Sequence, residues 1–202
     1  MLRSLLVGWL LLILTVPASG EDEKWELIAF IGEKKDLFEF QPEEEEGYIL
    51  MDLAFWGTYR VVKPLQGNVP TGDVEFAAYD HYGDPPFGRF KNVLLFVWRA
   101  GNAFEHDKYN FHAVFETRDG RWAVCGNPFA RNKEGLHARR IAFKASSAVD
   151  VGDLKRNERY LYFPEKDFRH HGGRVSCRGK GAYVEDVMKG HDLKLIQSSR
   201  WY

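Results

Sequence analysis

The stretch from residue 52 to residue 98 constrains the fold most, because it holds three segments with the pattern of β-strands. Large apolar side chains recur at every second position of Leu53–Val61 and again of Val74–Ala78. Such alternation is typical of a strand with one buried face. Val93–Trp98 is apolar at nearly every position, which predicts a central strand covered on both faces. We expect one sheet around these strands, with Gly57 marking a bulge or bend.

Further strand patterns lie on either side of this stretch. Trp25–Gly32 predicts a first strand, which Asp36–Phe40 continues after a bend, and Phe111–Thr117 predicts a later strand. Loops rich in Gly and Pro, such as Lys63–Asp73, separate the segments, and Arg99–Tyr109 is interpreted as a polar loop. Five or more short strands with little helix predict a mainly β protein built on a small OB-like β-barrel. A two-sheet sandwich is the alternative.

The Asp119-Gly120 pair between alternating segments predicts a β-hairpin. A two-residue turn at that pair would place Phe115 opposite Val124 and Val114 opposite Cys125.

The pattern is less regular beyond Gly126, and Phe168–Gly181 is interpreted as a loop. A helical turn is expected over Asp153–Arg159. Short strands are expected at Tyr160–Phe163, Ala182–Lys189 and Leu193–Ile196. The predicted organisation is a signal peptide at residues 1–20, an OB-like β-barrel domain at 21–126 and a C-terminal extension at 127–202. We expect the extension to pack on the barrel.

The first 20 residues predict export. Arg3 is followed by the apolar run Leu5–Val16, which is short for a membrane span, and then by the cleavage-type sequence Ala18-Ser19-Gly20. An uncleaved N-terminal anchor is the alternative. The expected product is periplasmic or secreted and has no transmembrane segment in the mature chain. In such a compartment, Cys125 and Cys177 predict one disulfide bond, with two buried thiols as the alternative.

The charge excludes one class of partner. Arg3 is the only charged residue among the first 20, so removal of that segment changes the formal net charge from −1 to −2. General binding to nucleic acid requires a basic surface that displaces counterions. We therefore expect no nucleic-acid partner.

Part of the chain resembles a known family. The segments Ala54–Val61, Val74–Phe76 and Val93–Val97, with Gly67 between the first two, resemble the netrin-like module. That module is the OB fold of the tissue inhibitors of metalloproteinases, and exported bacterial proteins show the same pattern. The likeness covers residues 25–126 and implies an OB barrel.

The N-terminus departs from the inhibitors that carry this module. They reach a catalytic metal through an N-terminal Cys, whereas the expected mature chain begins Glu21-Asp22-Glu23. The resemblance therefore implies the fold and not the inhibitory mechanism, since fold alone does not give function.

The candidate ligand-binding residues lie where strands meet turns, a frequent position for functional side chains. They are Tyr79, Asp80, His81, Tyr82, Phe87, His106, Lys108 and Tyr109. Alternatively, Asp80 caps the turn through backbone hydrogen bonds, and His81 packs with Tyr82 over the barrel end. The surface interpretation requires that Trp56, Tyr79, Tyr82 and Phe87 are not all buried.

Chemistry-bearing motifs are sparse. The sequence has no Gly-x-Ser-x-Gly, His-Glu-x-x-His or phosphate-binding glycine loop, and no catalytic residue or cofactor is predicted. The leading hypothesis is an exported, non-enzymatic binding module for a protein, peptide or glycan. A metal-dependent or histidine-based enzyme would require at least three of six histidines, or a neighbouring Asp, within ligand distance. These are His81, His106, His112, His170, His171 and His191. A structural, envelope-associated role is the third hypothesis.

Overall fold

The computed structural model describes residues 25–42, 51–129 and 136–198. The predicted signal peptide lies outside these residues. Five strands form the first half of the fold: β1 (Glu26–Phe40), β2 (Leu53–Gln66), β3 (Asp73–Asp80), β4 (Asn92–Ala100) and β5 (Ala103–Glu116). One turn of 3₁₀ helix, Pro86–Arg89, connects β3 to β4.

These five strands close into a barrel. β1 pairs antiparallel with both β2 and β4, β2 pairs with β3, and β4 pairs with β5. A parallel bridge between Ala77 of β3 and Glu105 of β5 completes the ring. The strand order β1-β2-β3-β5-β4 is that of an OB barrel, so the predicted fold class is confirmed.

Irregular pairing lets β1 serve two neighbours. Residues 26–33 pair with β4, and residues 29–40 pair with β2 through three register shifts. One shift lies between Ile31 and Gly32, where an added Cβ would come within 3.0 Å of Tyr59. Of the bulge or bend predicted at Gly57, the bulge is absent, because Gly57 pairs regularly with both Leu37 and Phe76. Its missing side chain leaves room for the Phe76 ring, 3.0 Å from a hypothetical Cβ.

β4 is buried on both faces, as its continuous apolar pattern predicted. Val93, Leu95 and Val97 face the barrel interior, while Leu94 and Phe96 belong to a second core cluster. All five side chains are fully buried. Helix α2 (Val184–Ser198) contributes to the second cluster, so the C-terminal part of the chain covers the outer face of the barrel at β4.

The predicted loop over Arg99–Tyr109 is wrong, because β5 begins at Ala103 after a short turn. At the other end of β5, the predicted hairpin is present, and β6 (Trp122–Cys125) returns beside it. The register differs by one residue. Phe115 lies opposite Ala123, and Val114 lies opposite Val124, because the turn spans Thr117 to Arg121 instead of two residues.

The C-terminal extension has short elements. They are β7 (Arg139–Arg140), β8 (Val149–Asp150), α1 (Arg156–Tyr162), β9 (Phe168–His171), β10 (Arg174–Cys177), β11 (Lys180–Tyr183) and α2. β11 and β7 continue the barrel sheet beyond β6, and β8, β10 and β9 form a separate small sheet. Among the described residues, no helix is both long and apolar enough to span a membrane.

Four predictions in this region are wrong. Tyr160–Tyr162 lies in α1 instead of a strand, and most of residues 182–198 form α2. Val184, Val187 and His191 are buried at helical spacing, and Glu185 and Asp186 suit the positive end of the helix dipole. The expected loop at Phe168–Gly181 contains the β9–β10 hairpin.

The predicted disulfide bond joins Cys125, at the end of β6, to Cys177, at the end of β10. The small sheet thereby connects covalently to the barrel sheet. Buried Phe163, Phe168 and Val175 also join the core cluster that fills the barrel. The extension is therefore packed on the barrel through both a covalent bond and a shared core.

Candidate functional site

Four aromatic side chains cover the outer surface of the barrel where β1, β2 and β3 run side by side. We call Phe38, Phe40, Trp56 and Tyr79 the aromatic face. Phe38 is 50% exposed and Trp56 is 39% exposed, while Phe40 and Tyr79 are partly buried. Trp56 lies at the centre, directly opposite Phe38 and stacked on Phe40 with 5.0 Å between ring centroids.

The alternation of the strands produces this face. Phe55, Gly57 and Tyr59 point into the barrel, so Trp56 must point outward. Its partner across the β2–β3 pair is Ala77, and Tyr79 sits one pleat further along, opposite Ala54. The two alanines leave space between the large rings. The result is a broad, shallow aromatic surface and not a deep pocket.

A polar edge borders the aromatic face at the start of β2. The Asp52 carboxylate accepts a hydrogen bond from Lys108 Nζ at 2.7 Å, and its other oxygen lies 3.5 Å from His81 Nδ1. Asp52 holds the pKa of Lys108 above its ordinary value. We call Asp52, His81 and Lys108 the polar edge. It joins three segments that are far apart in sequence.

Two tyrosines project beside the polar edge. Tyr82 is 87% exposed and its ring contacts His81 edge-on, with 5.3 Å between centroids. Tyr109 is 54% exposed, and Lys108 Nζ lies 5.1 Å from the centre of its ring. Tyr109 has a φ of 64°, a left-handed conformation that is uncommon for a residue other than glycine. The structure therefore brings Tyr79, His81, Tyr82, Lys108 and Tyr109 to one end of the barrel.

Asp80 has the capping geometry that the sequence offered as the alternative. Its carboxylate is buried at the end of β3 and accepts the backbone N–H of Tyr82 at 2.9 Å. This hydrogen bond fixes the turn that presents His81 and Tyr82. Asp80 thus shapes the edge of the site from beneath.

Phe87 and His106 belong to the barrel interior, which corrects their assignment as surface residues. Phe87 is 1% exposed and His106 is 5% exposed, and their ring centroids lie 4.5 Å apart. Burial lowers the pKa of His106 to about 4, although Asp107 and a hydrogen bond to the Asn110 backbone act in the opposite direction. His106 is therefore neutral at physiological pH. Its Nε2 finds no hydrogen-bond partner among the described residues.

The cavity beneath the tyrosines is too small for a ligand. Its volume is about 10 Å³, and Tyr79, Asp80, Phe87, His106 and Tyr109 are among its lining residues. A cavity of that size holds one water molecule at most. Any partner at this end of the barrel must therefore bind on the outside, against the aromatic face and the polar edge.

The surface interpretation required that Trp56, Tyr79, Tyr82 and Phe87 are not all buried, and three of these four residues are at least partly exposed. Trp56 and Tyr82 are exposed, Tyr79 is partly exposed, and Phe87 is buried. The sequence prediction missed Phe38, Phe40 and Asp52. The alternation of β2 alone predicts that Trp56 points outward. It does not predict the pairing of β1 with β2, which places the two phenylalanines beside Trp56.

The histidines do not converge. Across residues 25–42, 51–129 and 136–198, no three His, Cys, Asp or Glu side chains are close enough together to hold a metal ion. His81 faces solvent, His106 lies inside the barrel, and His191 stacks on Phe96 at 4.0 Å. The condition set for the metal-dependent hypothesis is not met by these residues.

Comparison with known proteins gives no relative from which to transfer a function. No family model, curated protein or solved structure matches the chain.

Proposed function

We propose that the protein is a non-enzymatic binding module that holds its partner on the aromatic face. The observation that carries the proposal is the group of four outward aromatic side chains centred on Trp56, two of them 39% and 50% exposed. Exposed apolar clusters rimmed by polar groups mark interaction sites on soluble proteins. Aromatic rings supply much of the binding energy in such sites because they bury large area at little entropic cost.

The shape of the site favours an extended or flat partner. The strand 2–3 face is the surface that OB barrels use for oligonucleotides and oligosaccharides. The negative net charge disfavours a nucleic-acid backbone, as does Glu105, which pairs with Ala77 and adds to the effect of burial in raising the pKa of Tyr79. A peptide segment of a protein or a glycan can stack on Trp56 and hydrogen-bond to the polar edge without that penalty.

Site-specific photo-crosslinking tests the proposal. A benzophenone amino acid replaces Trp56 in one variant and Trp25 in a second variant. Trp25 is more exposed, at 48% against 39%, and lies at the other end of β1 from the aromatic face. We expect a partner from the exported fraction to crosslink at position 56 and not at position 25. A glycan array probed with the same proteins distinguishes a sugar from a protein partner.

The Tyr79→Ala substitution provides the matched loss-of-function control. It removes one ring of the aromatic face and leaves the barrel interior intact, so capture at position 56 should fall. Equal capture at positions 25 and 56, or capture that Tyr79→Ala does not change, would contradict the proposal.

We also propose export, on the strength of the N-terminal sequence, and the Cys125–Cys177 bond is compatible with it. N-terminal sequencing of the mature protein should begin at Glu21. The netrin-like relationship likewise stays a proposal. The closed five-stranded barrel is compatible with that relationship. All OB barrels share this closure, so it does not distinguish the netrin-like module from the others.

A further inference from the structure

A second site lies in the C-terminal extension, away from the aromatic face. A groove of about 400 Å³ runs between α1 and the β9–β10 hairpin. Six of the side chains that line it carry the argument: Arg156, Arg159, Tyr160, His170, His171 and Arg174. The groove is about forty times the volume of the cavity at the barrel end and can take a group of the size of a sugar or a phosphate ester.

The groove concentrates positive charge. Three guanidinium groups line it, and no carboxylate does. Within the part of the chain that the structure describes, none of the three forms an ion pair. The nearest acid in the small sheet is Asp150, paired with Arg174 in register, and its carboxylate accepts the Gly152 N–H at 2.9 Å. The groove is therefore locally basic in a protein of formal net charge −1.

Two of the arginines are held in place without being neutralised. Arg159 donates to the carbonyl oxygens of Leu154 at 2.8 Å and Gly152 at 3.0 Å. Arg174 donates to the carbonyl of Ala148 at 3.3 Å. Carbonyl oxygens fix the orientation of a guanidinium but leave its full charge and its remaining N–H groups available.

His170 contributes a ring to the groove and not a further donor. Its Nε2 lies 2.7 Å from the Phe163 carbonyl, which can only accept, so the N–H of the neutral ring is on Nε2 and Nδ1 can only accept. Its ring stacks on Tyr160 with 4.9 Å between centroids, which gives the groove a flat aromatic wall. Beside it, the two-residue turn Gly172-Gly173 has positive φ at both positions. This turn sets His171 directly opposite Arg174, and both residues line the groove.

We propose that this groove binds a tetrahedral oxyanion, a phosphate or sulfate group. Three guanidinium groups approaching from α1 and from β10 offer more donors than a two-oxygen carboxylate can accept. A tetrahedral oxyanion presents three or four oxygens and matches them. The ion arrives free or as the ester of a small carrier, and Tyr160 and His170 are placed to stack on that carrier. Binding here is independent of the aromatic face.

Calorimetric titration of the oxidised full chain in chloride buffer tests the proposal. The probes are inorganic phosphate, inorganic sulfate, glucose 6-phosphate and glucose 6-sulfate. We expect one saturable site, with Arg156→Gln and Arg174→Gln each weakening binding by about tenfold or more, as the loss of a charged hydrogen bond does. Arg156→Lys keeps the charge but loses the planar fork, and we expect it to recover part of the affinity.

Arg140→Gln is the matched control. Arg140 is an exposed arginine on β7, outside the groove, so this variant removes the same charge and should bind within about twofold of the parent protein. Equal weakening by Arg140→Gln and Arg156→Gln would overturn the proposal, because binding would then follow net charge alone. Failure of all four probes to saturate would overturn it as well.

Binding measurements on the same protein variants identify the molecule that carries the anion. Tighter binding of a glucose ester than of the free ion assigns a soluble ester. Arg156-dependent recruitment to vesicles of phosphatidylcholine with phosphatidic acid, and not to phosphatidylcholine alone, assigns a lipid head group. Recruitment that Arg156→Gln leaves unchanged would count against the groove.

Discussion

The barrel and the C-terminal extension are built on different principles. Barrel strands are 8 to 15 residues long, and each pairs with two neighbours around the ring. The extension has strands of two to four residues, and a disulfide bond connects them to the barrel sheet. The barrel thus supports itself through continuous backbone pairing and a filled interior. We expect the extension, with its short strands, to depend for its stability on its attachment to the barrel.

The two regions also present different chemistry to solvent. The barrel exposes aromatic rings with a narrow polar edge, whereas the extension exposes a cationic groove with one aromatic wall. A single chain can therefore hold an apolar surface and an anion separately. The contrast shows that a stable barrel leaves its outer side chains free for recognition, while short elements can bring arginines from separate segments together.

Removal of an aromatic ring from the barrel interior tests whether the filled interior stabilises the barrel. Of the changes considered, it should lower the free energy of unfolding most. Phe76 is fully buried and its ring packs against Tyr59, Phe87 and His106. Phe76→Ala should lower the free energy of unfolding by about 3–5 kcal/mol, from lost transfer energy and the cavity left behind. Urea denaturation monitored by circular dichroism measures it. Phe38→Ala, on the outer face, should cost less than about 1 kcal/mol. Similar costs for the two variants would contradict the inside–outside assignment.

Removal of the disulfide tests the dependence of the extension. The bond closes a loop with a sequence separation of 52 residues, and loop-closure entropy gives a loss of about 3–4 kcal/mol for the Cys125→Ala/Cys177→Ala variant. Hydrogen exchange should show β9, β10 and β11 losing protection while β1 to β5 keep most of theirs. A uniform loss of protection across both regions would show that the barrel and the extension unfold as one cooperative unit. The extension would then not depend on the barrel in the way we expect.

The pH dependence of the free energy of unfolding tests whether His106 is buried in the barrel interior. His106 has a pKa of about 4 in the folded protein against its usual 6.5, so it is neutral in both states above pH 6.5 and its contribution is then fully present. As the pH falls from about 6.5 to 4, the unfolded chain takes up the proton first. The free energy of unfolding should fall by about 3 kcal/mol over that window.

His106→Phe isolates that contribution. Asp80 lines the same cavity and Asp107 is adjacent, so the difference between the parent and the variant, measured at each pH, is the informative quantity. It should change between pH 6.5 and 4 and be constant above pH 6.5. A difference that is constant throughout would place His106 in contact with water.

Sequence pattern predicted the barrel well because its determinants are local. Alternation over β2 and β3 and the apolar run of β4 each encode burial within a few residues. The first half of β5 was predicted as a loop because its residues are polar or exposed, as in most loops. They include Glu105, Asp107, Lys108 and Tyr109. α2 was missed because its buried face, at Val184, Val187 and His191, is sparse.

The candidate sites were less predictable, for a physical reason. Asp52 and Lys108 are 56 residues apart in sequence, and their contact depends on how β5 passes the start of β2. Phe38 joins Trp56 only through a register that three shifts along β1 determine. The anion groove combines a helix with a hairpin: the sequence predicted a helical turn only over the first part of α1, and it predicted a loop where the hairpin lies. Long-range register and irregular connections carry this information, and single-sequence periodicity does not.

The end of the barrel sheet has a further consequence, for self-association. At one side the barrel sheet closes on itself through β3 and β5, and at the other side its last strand, among the described residues, is β7. That strand has only two residues, both arginines, and Arg139 is paired with Asp186 of α2. A long, uncharged edge invites the backbone of another molecule to add as a further strand. An edge of two exposed arginines gives an incoming strand little to pair with, so this end of the barrel sheet should resist the addition of a strand from another molecule.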